Sequence, residues 1–332
     1  MLSKNLKKFN RPSNILIVGF GNVAYNIDND KRLIKFSHFQ ALKDLNLIKN
    51  VKAICDINID KIKFPKSLKK VSKFENLNDL NKKFVSFDLV IVLVPTINYV
   101  KTVKKLIRNF HFKYLMIEKP ITTSLKEFDK LNKLLIEKKI IFTINYQRNW
   151  DKNINKIKSF NERNKPYLIN IETSSAVIQS GSHFIELILK LYPNIQPMTY
   201  VDTISNHRFI NHKKDPNGVM VLRDKNNIVI MSFLSSSRNY FKSKMIFKSD
   251  KKYMIYDEVK GIMSIGNVKF DSLRVGKKCE YDGLPNKIIK LKNDNLLYKS
   301  YIELLNLKKT DISSIRRARR VVEIFSIFKI KY

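Results

Sequence analysis

Four short segments of this chain hold residue types from which a reaction could be built. The first is Val18-Gly19-Phe20-Gly21-Asn22-Val23-Ala24. A Gly-x-Gly-x-x-Ala spacing turns the backbone tightly, then lets it approach a pyrophosphate where no side chain intervenes. Helix N-terminal amides beyond it bind the negative charge. An ordinary strand-to-helix turn has the same spacing, so a strand before it and a helix after it must give it meaning. The chain has only eight glycines, which gives weight to two falling here. The second segment ends in Asp56. A carboxylate at that place accepts hydrogen bonds from both hydroxyls of an adenosine ribose and repels a 2′-phosphate, favouring NAD over NADP. A lysine beside it would admit NADP. Asp56 lies 35 residues after Gly21, against roughly 20 in the usual fingerprint. A long first crossover, Tyr25–Ser37, accounts for the excess.

The third segment is Glu118-Lys119-Pro120. At the end of a parallel strand it would line the ligand crevice of an open sheet. A lysine there can polarise a substrate oxygen as a charged donor. Lysine alone says little, because the chain has 51 and most lysines are solvated. The fourth is Ser180-Gly-Ser-His183-Phe-Ile-Glu186, in which His183 and Glu186 share a face if the segment is helical. An imidazole titrating near ~6.5 can exchange a proton with an alcohol. A buried structural histidine bonded to Glu186 would read the same way. No His, Cys or carboxylate group has the spacing of a closed metal site, and there is no Gly-x-Ser-x-Gly turn.

These segments need elements to hold them. Asn14–Gly19, Val51–Asp56, Asp88–Val94, Tyr114–Glu118 and Ile140–Asn145 are short β-branched runs, as strands buried on both faces require. Tyr99–Phe110 and Ser124–Lys139 carry apolar residues at three-to-four spacing, the pattern of amphipathic helices. Alternation of the two predicts a doubly wound parallel sheet over residues 12–150. After Trp150 the texture changes. Helices are expected over 151–161 and 182–191, and a strand over 167–174. Repeated strands with turn signals run from 198 to about 269, including Asp215-Pro-Asn-Gly218. Helices over about 295–307 and 313–328 close the chain. Residues 151–332 are therefore expected to form a second, α+β domain with an open-faced, mostly antiparallel sheet.

Composition sets the outer bounds. The chain has 332 residues, 44% of them hydrophobic, which excludes global disorder. Cys55 and Cys279 cannot build a disulfide framework. The longest apolar stretch, Leu89–Pro95, is far short of the ~20 residues of a membrane helix. The basic stretch Met1–Lys8 is not followed by a hydrophobic export segment. A soluble, cytoplasmic protein without a membrane partner is expected. The net charge of +35 suggests nucleic acid at first sight. The basic residues are scattered, however, and Lys, Ile and Asn are enriched together (51, 42 and 34 residues), as AT-rich codons would produce. No specific nucleic-acid partner is inferred, and the field should instead make a ligand cleft attractive to anions.

Together these residues resemble the Gfo/Idh/MocA oxidoreductases over about residues 12–330. The matching residues are Gly19-Phe-Gly21-Asn22, His38-Phe-Gln-Ala41-Leu42, Asp56, Val94-Pro95-Thr96, Glu118-Lys119-Pro120, Tyr146-Gln-Arg148 and Gly181-Ser-His183-Phe-Ile-Glu186. The resemblance implies a Rossmann domain followed by a sheet domain for substrate binding and self-association as a homo-oligomer. It implies hydride transfer between NAD or NADP and a carbon of a sugar, polyol or nucleotide sugar, with Lys119 and His183 catalytic. It further implies cofactor contacts from Gly19, Gly21, Asn22, Ala24, Asp56, Pro95, Thr96 and Glu118. Substrate contacts would come from Lys119, Arg148, Gln179 and His183. The wording of the crossover and of the histidine segment is similar to members of cell-surface polysaccharide and nucleotide-sugar pathways.

Three positions depart from the family pattern. Gln179 stands where an Asp is often found, so an acid/base role is lost there while hydrogen bonding is kept. Tyr99 stands where many members have a histidine. Glu186 replaces the more frequent Asp. The rival expectation is a catalytically inactive dinucleotide-binding or regulatory protein on the same scaffold.

Overall fold

Ile15-Leu-Ile-Val18 is apolar at every position and can leave neither face against water. It forms β1 (Ile15–Val18), fully buried inside a parallel sheet. The computed structural model describes residues 9–28, 36–202, 208–210, 213–233, 242–271, 278–281, 285–291 and 296–331. The basic stretch 1–8, residues 29–35 of the long crossover and the Cys279 side chain lie outside the described residues.

Around β1 stand β2 (Val51–Cys55), β3 (Ser72–Phe74), β4 (Ser86–Val92), β5 (His111–Ile117) and β6 (Ile141–Ile144). Their order is β3-β2-β1-β4-β5-β6, and every pairing is parallel. This reversal of direction at β1 and β4 is the strand order of a doubly wound dinucleotide fold. The crossovers carry α1 (His38–Asp44), α2 (Leu77–Lys83), α3 (Thr96–Asn109) and α4 (Leu125–Glu137). Ser37 caps α1 by accepting from the Gln40 amide, and Ser124 caps α4 by accepting from Glu127. The α3 helix buries Tyr99, Val100, Val103 and Leu106, the stripe its spacing announces.

One local expectation changes. No α-helix follows the glycine turn directly. One turn is hydrogen-bonded, from the Tyr25 amide to Gly21 O and from Ile27 to Asn22 O, and a 3-10 turn at Asn26–Asp28 ends it. Among the described residues the first α-helix begins at His38.

The second unit begins with α5 (Asn153–Asn164) and β7 (Leu168–Thr173). A π-helical segment, Val177–Gly181, runs into α6 (Ser182–Leu191). Strands follow: β8 (Gln196–Asp202), β9 (Arg208–Ile210), β10 (Lys213–Asp215), β11 (Gly218–Arg223), β12 (Ile228–Phe233), β13 (Ser243–Lys248), β14 (Lys252–Asp257), β15 (Ile262–Asp271), β16 (Lys278–Tyr281) and β17 (Lys287–Lys290). Nine of the second unit's strands make one sheet, ordered β16-β15-β14-β13-β7-β12-β11-β8 with β17 also on β15; β9 and β10 pair separately. All of the nine-strand sheet's pairings are antiparallel except β7 with β12. Alternate residues of β7, β11, β12 and β13 are buried, so one face of the sheet carries the core.

The last two helices, α7 (Leu296–Asn306) and α8 (Ile312–Ile327), change the domain division. Residues 1–150 form a compact unit together with 295–322, and 151–294 form the other with 323–332. The expected single break at 150, with everything to 332 in the second domain, is therefore corrected. The cause is burial: Leu297, Tyr301, Leu304 and Leu305 of α7 share a core with Ala41 and Leu42 of α1 and with Ile15 and Ile17 of β1. Arg319 of α8 adds a bidentate ion pair to Asp129 of α4. Among the described residues no helix is long and apolar enough to cross a membrane.

Candidate cofactor and active site

The parallel ladder continues past the strand ends and lines up the segments singled out in the sequence. The Gly19 amide donates to Cys55 O, Leu93 to Val18 O, Glu118 to Val92 O and Asn145 to Ile117 O. Asp56, the glycine turn, Pro95-Thr96, Glu118-Lys119 and Asn145 therefore stand in a row along the carboxyl edge, where an open α/β sheet binds its ligand. Pro95 is the N-cap of α3 and Thr96 its first residue.

The two glycines of the turn differ in what they serve. Gly19 has φ +87°, and a Cβ there would lie 2.7 Å from Leu93 O. The fold itself requires that glycine. A Cβ on Gly21 would meet nothing within 4 Å. Gly21 lines a cleft of ≈ 590 Å³ together with Phe20, Asp56, Asn58, Lys61 and Lys63, among others. Asp56 Oδ2 accepts from the Phe20 amide at 2.7 Å, and Oδ1 accepts from the Asn58 amide at 2.8 Å. Each carboxylate oxygen has a second lone pair, so acceptor capacity for ribose hydroxyls remains. Open space at Gly21 and a carboxylate in the same cleft fit the adenosine half of a dinucleotide. Lys61 and Lys63 are the basic neighbours that would tolerate a 2′-phosphate. Burial pushes the nearby Cys55 thiol up to about 12, with Asp56 adding to the effect, which leaves it no nucleophilic thiolate at neutral pH.

At the end of β5 the Lys119–Pro120 peptide bond is cis. The Glu118 side chain is largely buried. Its Oε1 accepts from His38 Nε2 at 2.9 Å and also from the Asn145 side-chain amide. Burial alone would raise the Glu118 carboxyl, but the hydrogen bond from His38, with the charge of Lys119 and the Asn145 amide, outweighs it and holds it below the ordinary glutamate range. An anion is thus fixed next in sequence to Lys119. Arg148 lies in a 3-10 turn, Gln147–Trp150, that packs beside α7 in the same unit.

In the second unit His183 and Glu186 lie one turn apart on α6 and both are buried, as is nearly all of that helix. Gln179 sits in the π-helical turn just before it. π-Turns break the regular ladder and frequently occur at functional sites. The turn is held by Asp215, which has no exposed surface. Its Oδ1 accepts from the Ile178 amide at 2.8 Å and its Oδ2 from the Gln179 amide at 3.0 Å. The Val177 amide donates to Pro216 O at 2.9 Å. Among the described residues no group of three or more His, Cys, Asp or Glu side chains is placed to hold a metal ion.

Residues 13–146 match the Gfo/Idh/MocA oxidoreductase family, described as an NAD-binding Rossmann fold. The match covers the Rossmann domain. No curated protein sequence matches the chain. Among solved structures it is similar to UDP-N-acetylglucosamine 3-dehydrogenase GnnA from Acidithiobacillus ferrooxidans (14% identity, 96% of each chain, TM-score 0.65). It is also similar to the WlbA dehydrogenase from Bordetella pertussis in complex with NADH and UDP-GlcNAcA (13% identity, 96% of each chain, TM-score 0.69). A third is the 3-ketoreductase KijD10 from Actinomadura kijaniata in complex with TDP-benzene and NADP (12% identity, 96% of this chain and 97% of that one, TM-score 0.73). At these identities the likeness is one of fold.

Several residues of the site carry no role that the sequence alone reveals. His38 stood inside a matching motif without one, and its bond to Glu118 needs the fold to be seen. In the sequence Asp215 is only a turn residue. Asn145, Ser300 and Tyr301 carried no signal. The buried Tyr99 is 3% exposed and serves the core of α3.

Proposed function

We propose that the chain is an NAD(P)-dependent oxidoreductase that moves a hydride between nicotinamide and a carbon of a nucleotide-linked sugar. The observation that carries this reading is Lys119 at the carboxyl end of β5, with an ionised Glu118 fixed beside it in a family Rossmann sheet. Similarity of fold to dehydrogenases and a ketoreductase of nucleotide sugars supports the substrate class. When bound, the nicotinamide supplies or accepts the hydride. Gly19, Gly21, Asn22 and Ala24 admit the pyrophosphate, Pro95 and Thr96 border it, and Asp56 accepts from the ribose. In the oxidative direction His183 takes the proton of the substrate hydroxyl. Lys119 holds the charge that develops on that oxygen while the hydride leaves its carbon. Gln179 and Arg148 orient the substrate by hydrogen bonds. Asp56 favours NAD, and Lys61 and Lys63 bring NADP within range. Self-association is proposed to use the face of the second unit's sheet opposite its core.

The test is an assay of UDP- and TDP-sugars with each oxidised cofactor, reading reduced nicotinamide. Turnover is expected in the native chain and a large loss in Lys119→Ala, with NADH affinity unchanged. Near-normal turnover in Lys119→Ala would overturn the assignment. Cofactor binding without turnover of any sugar would favour the inactive binding-protein reading, which Gln179 already favours.

A further inference from the structure

Two adjacent hydroxyls of α7 reach the Glu-Lys-Pro segment through intermediaries. Tyr301 Oη lies 2.6 Å from His38 Nδ1, and His38 Nε2 lies 2.9 Å from Glu118 Oε1. Ser300 Oγ donates to Asn145 Oδ1 at 3.0 Å, and the Asn145 amide nitrogen donates to the same Glu118 oxygen. His38, Ser300 and Tyr301 have no exposed surface, and Asn145 is buried.

Each intermediary has two faces of opposite hydrogen-bonding sense. A neutral imidazole has one N–H and one acceptor nitrogen, and a carboxamide has a donor end and an acceptor end. Either can present the wrong side to a carboxylate. Burial, then the charge of Glu118, pushes the Tyr301 phenol well above its ordinary range, so it keeps its proton. Toward a neutral ring its O–H is the donor and Nδ1 the acceptor, an arrangement that leaves the ring proton on Nε2, facing Glu118. Ser300, by donating to Oδ1, turns the amide nitrogen of Asn145 to the same carboxylate. The backbone adds a second tie: the amides of His38 and Phe39 donate to Val23 O and Ala24 O of the glycine turn.

We propose that Ser300 and Tyr301 are positioning residues for Lys119, selecting the imidazole tautomer and the amide orientation that hold Glu118 as a fixed anion beside the ammonium. The inference rests on the reading of Lys119 as the group that stabilises the substrate oxygen. A buried neighbouring anion favours the charged ammonium over the free amine, and only the ammonium can stabilise an oxyanion.

The experiment uses the full chain and Tyr301→Phe, which removes one oxygen and keeps the ring. Ser300→Ala serves as a second variant should the first fail to fold. Side-chain nitrogen NMR of the histidines, with the His38 signal identified by its loss in His38→Gln, should show the Nε2–H tautomer in the native chain and a mixture in Tyr301→Phe. The rate at which an amine reagent labels Lys119, read by peptide mass spectrometry, should rise in Tyr301→Phe, in Ser300→Ala and in Glu118→Gln. With a substrate in hand, kcat should fall about tenfold in Tyr301→Phe, the scale of one buried hydrogen bond, with KM for the cofactor unchanged. The high-pH limb of kcat should move to lower pH. Tyr301→Phe should add nothing to Glu118→Gln in the double variant, because it acts through that carboxylate. An unchanged His38 tautomer together with unchanged labelling of Lys119 overturns the proposal, as does full additivity of the two substitutions. If the native chain turns over no nucleotide sugar, the proposed function fails, while the tautomer and labelling measurements still decide this inference.

Discussion

Behind Lys119 stands Glu118, which takes its hydrogen bonds from the side chains of His38 and Asn145. Behind Gln179 and His183 stands Asp215, which takes its own from the backbone of a π-helical turn. Glu118 uses a single oxygen, Oε1, for both donors, whereas Asp215 uses one oxygen for each. The first arrangement leaves the chain path to the parallel ladder and sets a charge. The second sets the chain path itself, because a π-turn leaves amides that its own carbonyls do not satisfy in the α-helical register. A carboxylate that tunes chemistry and a carboxylate that shapes backbone should respond differently to the same isosteric change. The comparison can be broken on that point.

The largest expected effect is on chemistry alone. Lys119→Ala should lower kcat by about 10²–10⁴-fold, the usual worth of a positioned acid or base, with cofactor affinity unchanged. Steady-state kinetics with parallel calorimetry of NADH binding checks both halves. His183→Ala belongs to the same class but should also leave the melting temperature of the first unit's core unaffected.

Next comes the matched pair. Asp215→Asn presents an amide N–H to one backbone N–H and should cost about 1–3 kcal/mol of stability. Glu118→Gln keeps an acceptor oxygen for both donors and should cost less than about 1 kcal/mol. Denaturant unfolding of the two variants measures the contrast, and equal costs would end it. A second contrast lies within the glycine turn. Gly19→Ala forces a Cβ to 2.7 Å from Leu93 O at φ +87° and should destabilise by about 1–3 kcal/mol. Gly21→Ala meets nothing, so it should leave stability intact while weakening dinucleotide binding. If Gly21→Ala binds NADH and NADPH like the native chain, the turn is only a turn.

The smallest effect is a pH dependence. Glu118 sits below its ordinary range in the folded chain, so its ionised form contributes stability that is present above the unfolded glutamate value. That stability is lost as pH falls through the depressed folded value. The stability gap between the native chain and Glu118→Gln should therefore narrow as the medium is acidified. A gap that widens instead would mean Glu118 is held in its protonated form.

Much of the scaffold is legible in the sequence. Ile15–Val18, Val51–Cys55 and Ile141–Ile144 are strands because unbroken β-branched runs have no polar face to expose. Three-residue β3 and seven-residue α2 were missed because both are short and rich in lysine, serine and asparagine, with little buried surface to pattern them. The glycine turn, Asp56, the Glu-Lys-Pro segment and the histidine helix were each found by residue type and spacing. Their supports were not. Periodicity shows that one face of α7 is buried but not what it is buried against, so Tyr301 and His38, 263 positions apart, carried no mutual signal. The same holds for Ser300 and Asn145, 155 apart. A π-turn has no periodicity of its own at five residues, so Val177–Gly181 carries no signal ahead of the helix expected from 182.

The net charge of +35 now has a local counterpart in Lys61 and Lys63, which share a cleft with Asp56. That cleft is where a dinucleotide would bind. Calorimetric titration of NADH and NADPH into the purified chain, repeated with Gly21→Ala, is the most direct test. Saturable binding of at least one dinucleotide at one site per chain, weakened by Gly21→Ala at unchanged melting temperature, is the predicted result. Heats indistinguishable from dilution for both cofactors would contradict it.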